Sequence, residues 1–197
     1  MSKIDTAWER TKSKDFLRIP RQLNHPIRER IVEETVGNSV LDVGCASAIQ
    51  YPFYKDSGIE YTGVDFTQKF LNYAWELYGD IDLIYADASD IPRPDRCFST
   101  VFCKDLLEHL PPDKYKEVLG EMWRLTDKRM MIAFYIKPWS KPTEYLLVKN
   151  IHYKNTYNRD ELLDFISKLD KMFSCEIQDK IGFNNSELWI VDKYESK

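Results

Sequence analysis

The sequence predicts an α/β fold in three layers: a mostly parallel sheet of seven strands, covered by helices on both faces and closed by an antiparallel C-terminal hairpin. Three observations predict it. Short apolar runs alternate with segments of helical spacing across residues 26–136. The first of these runs, Val40-Leu41-Asp42-Val43, passes into Gly44-Cys45-Ala46-Ser47-Ala48, a turn of very small residues. The last two runs, 173–181 and 187–194, are joined by a connection too short for a crossover, so they must pair antiparallel.

Each element has a local reason. Ile27, Ile31 and Val32 lie at helical spacing over 26–36, and Gly37-Asn38 is a stop signal. Strand 40–43 follows, then a crossover helix expected over 49–57 and closed by Gly58, then strand 60–65. Thr67 is expected to cap a helix through Phe70, Leu71, Ala74, Trp75 and Leu77 to Gly79. Strand 82–85 ends at Ala86-Asp87-Ala88. Pro92 and Pro94 keep 91–96 out of a helix. Strand 98–103 precedes a helix opened by Pro111-Pro112-Asp113 and carried by Tyr115, Val118, Leu119 and Met122. Strand 129–136 and a helix over 159–171 lead to the hairpin.

Composition narrows the function. The 197 residues suit one domain with a full core, and 30% charged with 43% hydrophobic residues describe an ordinary globular chain. A net charge of -4 argues against nucleic acid as a partner, because little nonspecific attraction to phosphate is expected. No apolar stretch approaches the roughly 20 residues that span a bilayer, so no membrane is expected. Residues 1–18 lack the apolar core of a signal peptide. The four cysteines, Cys45, Cys97, Cys103 and Cys175, form no CxxC pair, which fits a reducing cytoplasm rather than zinc or a disulfide framework.

The turn after the first strand suits close approach of backbone to a nucleotide-like ligand. About twenty residues on, Tyr61-Thr62-Gly63-Val64 ends in Asp65, an acid placed to hold both hydroxyls of a ribose. The pair points to a cofactor with an adenosine part.

With these residues the chain resembles the class I S-adenosylmethionine-dependent methyltransferases, close to the type 11 group of small-molecule enzymes. Leu41 to Ala48 is similar to the Gly-rich first motif and Gly63-Val64-Asp65 to the acidic second. Ala86-Asp87-Ala88, Ile91-Pro92 and the run from Phe98 through Lys104-Asp105-Leu106-Leu107-Glu108-His109-Leu110 match the third region. The likeness covers roughly 36–191. It implies a Rossmann-like sandwich and a single domain over 1–197, with an N-terminal helical cap over 1–36 and a substrate lid over 137–158. It implies S-adenosylmethionine as cofactor, S-adenosylhomocysteine as product, and methyl transfer to oxygen or nitrogen of a small-molecule acceptor by a monomer or homodimer.

The resemblance also implies roles. Asp65 would accept from the ribose hydroxyls, Asp87 from the adenine amine with Ala88 near the ring, and Phe66 would stack on adenine. Gly44 and Ala46 would let backbone approach the methionine part, Asp42 would sit near its ammonium, and Cys103 and Lys104 beside the sulfonium. Each residue has a plainer reading: Asp65 as a helix cap, Asp87 as a loop acid, Phe66 as core. The family places glycines where this chain has Ala46 and Ala48, so a weaker cofactor grip is expected.

Methyl transfer is an in-line displacement accelerated mainly by positioning and water exclusion. His109 is the candidate general base, and packing against the next turn is its alternative. Asp105, Glu108 and His109 with His152 resemble the metal cluster of small-RNA 2'-O-methyltransferases and ubiquinone-pathway O-methyltransferases. The shortened acid Asp105 and the acidic surface count against it, and no metal is expected. Trp8, Phe16, Leu17 and His25 would belong to the cap. Tyr135, Trp139 and Tyr153, in an aromatic stretch broken by Pro138 and Pro142, would wall the acceptor pocket or simply pack under a long loop. The competing functions are an RNA or protein methyltransferase and a non-catalytic S-adenosylmethionine-binding member of the fold.

Overall fold

The computed structural model describes residues 26–148, 152–170, 173–181 and 186–194. Trp8, Phe16, Leu17 and His25, assigned to the cap, lie outside the described residues. Strands β1 (Ser39–Val43), β2 (Glu60–Asp65), β3 (Asp82–Tyr85), β4 (Phe98–Lys104), β5 (Thr126–Phe134), β8 (Phe173–Ile181) and β9 (Ser186–Lys193) make a seven-stranded sheet in the order β3-β2-β1-β4-β5-β9-β8. The first five run parallel, and β9 lies antiparallel between β5 and β8.

Period-two alternation divides the core into two layers. Leu41, Val43, Val101 and Cys103 face one side, under helices α3 (Lys114–Leu125) and α4 (Arg159–Leu169). Val40, Phe102 and Met131 face the other, with Ile27 and Ile31 of α1 (Pro26–Glu33), Tyr54, and Ala74 of α2 (Gln68–Tyr78). Asp42 points to this second side, two residues along from Val40.

Several expectations need correction. The helix expected over 49–57 is only a single 3-10 turn, Tyr51–Phe53. Pro52 explains this, having no N–H to donate and a ring that would strike the carbonyl of Ala48 in an α-helix. Thr67 does occupy the N-cap of α2, yet its hydroxyl makes no cap bond. The Asp65 carboxylate instead accepts from the Thr67 amide at 2.8 Å. Helix α3 begins at Lys114, because Asp113 turns left-handed at φ 63°. β5 starts directly from that helix at Thr126, three residues before the expected position. Within 137–158, strands β6 (Leu147–Val148) and β7 (His152–Tyr153) form a small hairpin that the sequence reading did not anticipate.

Candidate functional site

A cavity of about 340 Å³ opens at the C-terminal ends of β1, β2 and β4. It lies where the strand order reverses, the place at which open α/β sheets take ligands. Each strand tip contributes a carboxylate or a cation to its wall.

β1 supplies Asp42, which is fully buried and accepts a 2.6 Å hydrogen bond from the Tyr61 hydroxyl. Burial pushes its pKa up to about 7; the Tyr61 bond and the charges of Arg28 and Lys104 act against that rise, and Asp65 adds to it. The turn that follows is held by amides of Gly44 and Cys45 donating to the Val64 carbonyl at 2.8 and 3.0 Å. Gly44 sits at φ 74°, and a Cβ there would lie 2.8 Å from Leu106. Ala46 at φ 49° and Ala48 at φ 52° adopt the same left-handed region, which only glycine enters without strain. The turn therefore keeps a glycine geometry in alanine.

β2 supplies Asp65. Its Oδ2 accepts from the Ala46 amide at 2.9 Å and its Oδ1 from the Thr67 amide. The cap reading and the ligand reading of this acid are thus compatible, since an ionised carboxylate has about four acceptor positions. Phe66 lines the cavity beside it.

β4 supplies Lys104, whose ammonium pairs with the carboxylate of Asp105. Burial lowers the Lys104 pKa and Asp105 opposes that. Asp105 itself is left-handed at φ 54°, so the chain is strained where it leaves the sheet. His109, one turn on, also lines the cavity. Its Nδ1 lies 2.9 Å from the Tyr153 carbonyl, and its ring stacks on Tyr135 at 5.7 Å and meets His152 edge-on at 5.9 Å. Burial lowers the His109 pKa; the Tyr153 carbonyl raises it and His152 lowers it further.

The site thus brings together Asp42, Gly44, Ala46, Asp65, Phe66, Lys104, His109 and Tyr135. Other residues expected there stand outside the cavity wall. Asp87 is half-exposed, with Oδ1 accepting from the Ser89 amide and hydroxyl at 2.9 and 2.8 Å, which makes it a turn acid. Ala88 packs on the core, and Cys103 is fully buried beneath the strand tip. Trp139 is 41% exposed with Lys141 over its ring, and Tyr153 reaches the site only through its carbonyl.

Among the described residues no group of three or more His, Cys, Asp or Glu is arranged to hold a metal ion. Glu108 is fully buried, with Oε1 accepting from the Tyr135 and Ile136 amides at 3.0 and 3.3 Å. Asp105 turns to Lys104 and His109 to a carbonyl. Of the four side chains, His109 and His152 meet each other while Asp105 and Glu108 turn to other partners.

Two cavity residues escaped the sequence reading. Arg28 on α1 is buried, donates through Nη1 to Gln50 Oε1 at 3.0 Å and receives Gln50 Nε2 on its carbonyl at 2.8 Å. The available signal was a basic residue between Ile27 and Ile31 on the core-facing stripe of a helix.

Residues 40–129 match the family model described as a methyltransferase domain. A demethylmenaquinone methyltransferase of Renibacterium salmoninarum is 30% identical over a 129-residue alignment that covers 60% of this chain and 54% of that one. The chain spans about half the length of the curated relatives that carry this name. Among solved structures, the 1,6-didemethyltoxoflavin-N1-methyltransferase of Burkholderia thailandensis, bound to 1,6-didemethyltoxoflavin and S-adenosylhomocysteine, superposes with a TM-score of 0.69 at 16% identity, covering 92% of this chain and 82% of that one. The magnesium protoporphyrin IX methyltransferase of Synechocystis, with S-adenosylhomocysteine bound, gives 0.66 at 16% identity over 96% and 93%. At such identities the structures speak to fold alone. Fold, crevice and matched segment are similar to those of the class I S-adenosylmethionine-dependent methyltransferases, with the matched domain covering just under half of the chain.

Proposed function

We propose that this chain transfers a methyl group to an oxygen or nitrogen of a small-molecule acceptor. The carrying observation is one cavity at the slim 44–48 turn whose wall combines charged groups, Asp42, Asp65, Arg28 and Lys104, with aromatic and apolar ones, Phe66, Leu110 and Tyr135, beside His109. Bound S-adenosylmethionine supplies an electrophilic methyl on a sulfonium; the chain's residues bind, orient and keep water away.

Asp65 suits the ribose hydroxyls, because its two oxygens are already oriented by backbone amides. Asp42 suits the ammonium of the methionine part and the Arg28 guanidinium its carboxylate. Phe66 offers a face for adenine, with Asp87 and Ala88 outside the cavity wall. Lys104 and Cys103 belong to the strand tip below the reacting centre, and Tyr135 walls the acceptor with Trp139 and Tyr153 behind it. His109 takes the acceptor's proton: an Nδ1 that faces a carbonyl must carry hydrogen, so Nε2 of the neutral ring is the acceptor nitrogen. The lowered pKa keeps that ring neutral near pH 7. A single domain with residues 137–158 as a lid, acting in the cytoplasm as a monomer or homodimer without nucleic acid, completes the reading. Among the described residues no helix is long and apolar enough to cross a membrane.

Calorimetry with S-adenosylhomocysteine tests this. The wild-type chain should bind, and Asp65→Ala should bind about a hundredfold more weakly, from two charge-assisted hydrogen bonds of about 1.5 kcal/mol each. Equal affinity in the two proteins would overturn the ribose assignment, and no binding to wild type would overturn the function.

A further inference from the structure

The 152–157 segment is stapled to the turn that carries His109. The Asn155 amide donates to the Glu108 carbonyl at 2.8 Å. The Asn155 side chain, fully buried, donates through Nδ2 to the carbonyls of Leu110 at 2.8 Å and Leu107 at 3.4 Å, and to the Tyr157 hydroxyl at 3.2 Å. Tyr157, equally buried, donates its hydroxyl to the Leu107 carbonyl at 2.6 Å. One amide and one phenol thus hold both carbonyls flanking the Glu108-His109 pair. Two residues before Asn155, the Tyr153 carbonyl meets His109 Nδ1.

A buried asparagine with this many bonds to one turn fixes the distance between two segments. What that distance controls is chemical. A carbonyl has no proton to give, so a ring nitrogen held against it must be the N–H nitrogen, and the opposite nitrogen becomes the base. We propose that Asn155 and Tyr157 are positioning residues that lock His109 into its Nδ1–H tautomer, by clamping the Tyr153 carbonyl onto the ring, so that the acceptor's proton is taken at Nε2. The inference rests on reading His109 as the base. It makes the 137–158 segment more than a cover, because the lid sets the protonation geometry of the group beneath it.

The charged and titratable groups facing His109 come from three directions: His152 from β7, Tyr135 after β5 and Asp105 from the strand end before its own turn. None of these offers Nδ1 a carbonyl. The lock therefore belongs to the backbone of Tyr153.

The chain has three histidines, so His109 can be followed by nitrogen-15 NMR on the full-length protein with S-adenosylhomocysteine present. The wild type should show a single protonated Nδ1 and a pyridine-like Nε2. Asn155→Ala should lose that single signature and give a mixture of tautomers, with S-adenosylhomocysteine affinity within about twofold of wild type, since Asp42 and Asp65 stand on other strands. Should Asn155→Ala not fold, Tyr157→Phe removes only the hydroxyl and should shift the population the same way by a smaller amount. An Nε2–H tautomer in the wild type overturns the proposal, and so does an unchanged tautomer in a folded variant. Failure of wild type to bind S-adenosylhomocysteine would instead strike the functional reading, so the two failures are distinguishable.

Discussion

Asp42 and Glu108 are both buried carboxyls at the C-terminal edge of the sheet, and burial raises the pKa of each. Their surroundings differ. Asp42 is held by side chains, with a hydroxyl bonded to one oxygen and the charges of Arg28 and Lys104 nearby, and it lines the cavity. Glu108 is held by two backbone amides, its Oε2 has no hydrogen-bond partner among the described residues, and it lies outside the cavity wall. A perturbed pKa is therefore not by itself the mark of a site. Asp42 lines the cavity, where a ligand's charge can reach it, and Glu108 has no such access.

The sharpest way to break this contrast is to remove Glu108. Glu108→Ala leaves the Tyr135 and Ile136 amides without an acceptor and opens a void, at a cost of about 4 kcal/mol in denaturant unfolding. Glu108→Gln keeps an oxygen for both amides and replaces a carboxyl that burial holds neutral, so its loss should stay within about 1 kcal/mol at pH 7. If the glutamine variant fell as far as the alanine one, an ionised Glu108 would be the form that the scaffold binds.

Asp42 should behave in the opposite way. Its carboxyl ionises near 3.8 in the unfolded chain and at about 7 in the folded one. Below pH 4 both states are protonated and the group is neutral to stability. Between about 4 and 7 the unfolded chain ionises first, so the folded state loses stability as pH rises, and above 7 the loss is constant. Asp42→Asn removes this cost. It should gain about 2 kcal/mol at pH 8, less than the full shift implies because Arg28 loses a partner charge, and nothing at pH 4. The same variant should bind S-adenosylhomocysteine at least about tenfold more weakly. A variant destabilised at pH 8, or one binding as well as wild type, would place Asp42 with the scaffold.

This contrast was only half visible in the sequence. The mostly parallel seven-stranded sheet, its antiparallel closure and the Asp42, Gly44 and Asp65 tips follow from apolar runs and turn residues, which are local signals that the structure preserves. Element ends were less legible, because they depend on single residues with tertiary partners. Pro52 cut a helix to one turn, and the Thr67 hydroxyl makes no cap bond while the Thr67 amide donates to Asp65. Arg28, Gln50 and the Asn155 staple are long-range: 22 residues separate Arg28 from Gln50, and 45 separate Asn155 from the Leu110 carbonyl it holds. Nothing in the local pattern around either one reveals the other. Glu108 shows the converse, since its motif position reads as chemistry while its side chain faces backbone.

The smallest expected effects carry the same comparison into the 44–48 turn. Ala46 lines the cavity, whereas Ala48 is fully buried within the layer formed by Ile27, Ile31 and Tyr54. Both hold a left-handed backbone that costs an alanine roughly 1.5 kcal/mol, and glycine gives back about 0.7 kcal/mol through its freer unfolded chain. Ala46→Gly should therefore stabilise the fold by about 0.8 kcal/mol and tighten S-adenosylhomocysteine binding, since it also removes a methyl from the wall. Ala48→Gly gives up a buried methyl as well, worth about 0.8 kcal/mol, and should leave thermal stability nearly unchanged. Paired melting curves and calorimetry on the two variants check this. Equal stabilisation of both would mean that the Ala48 methyl contributes nothing to the core, and that its alanine is unexplained by packing.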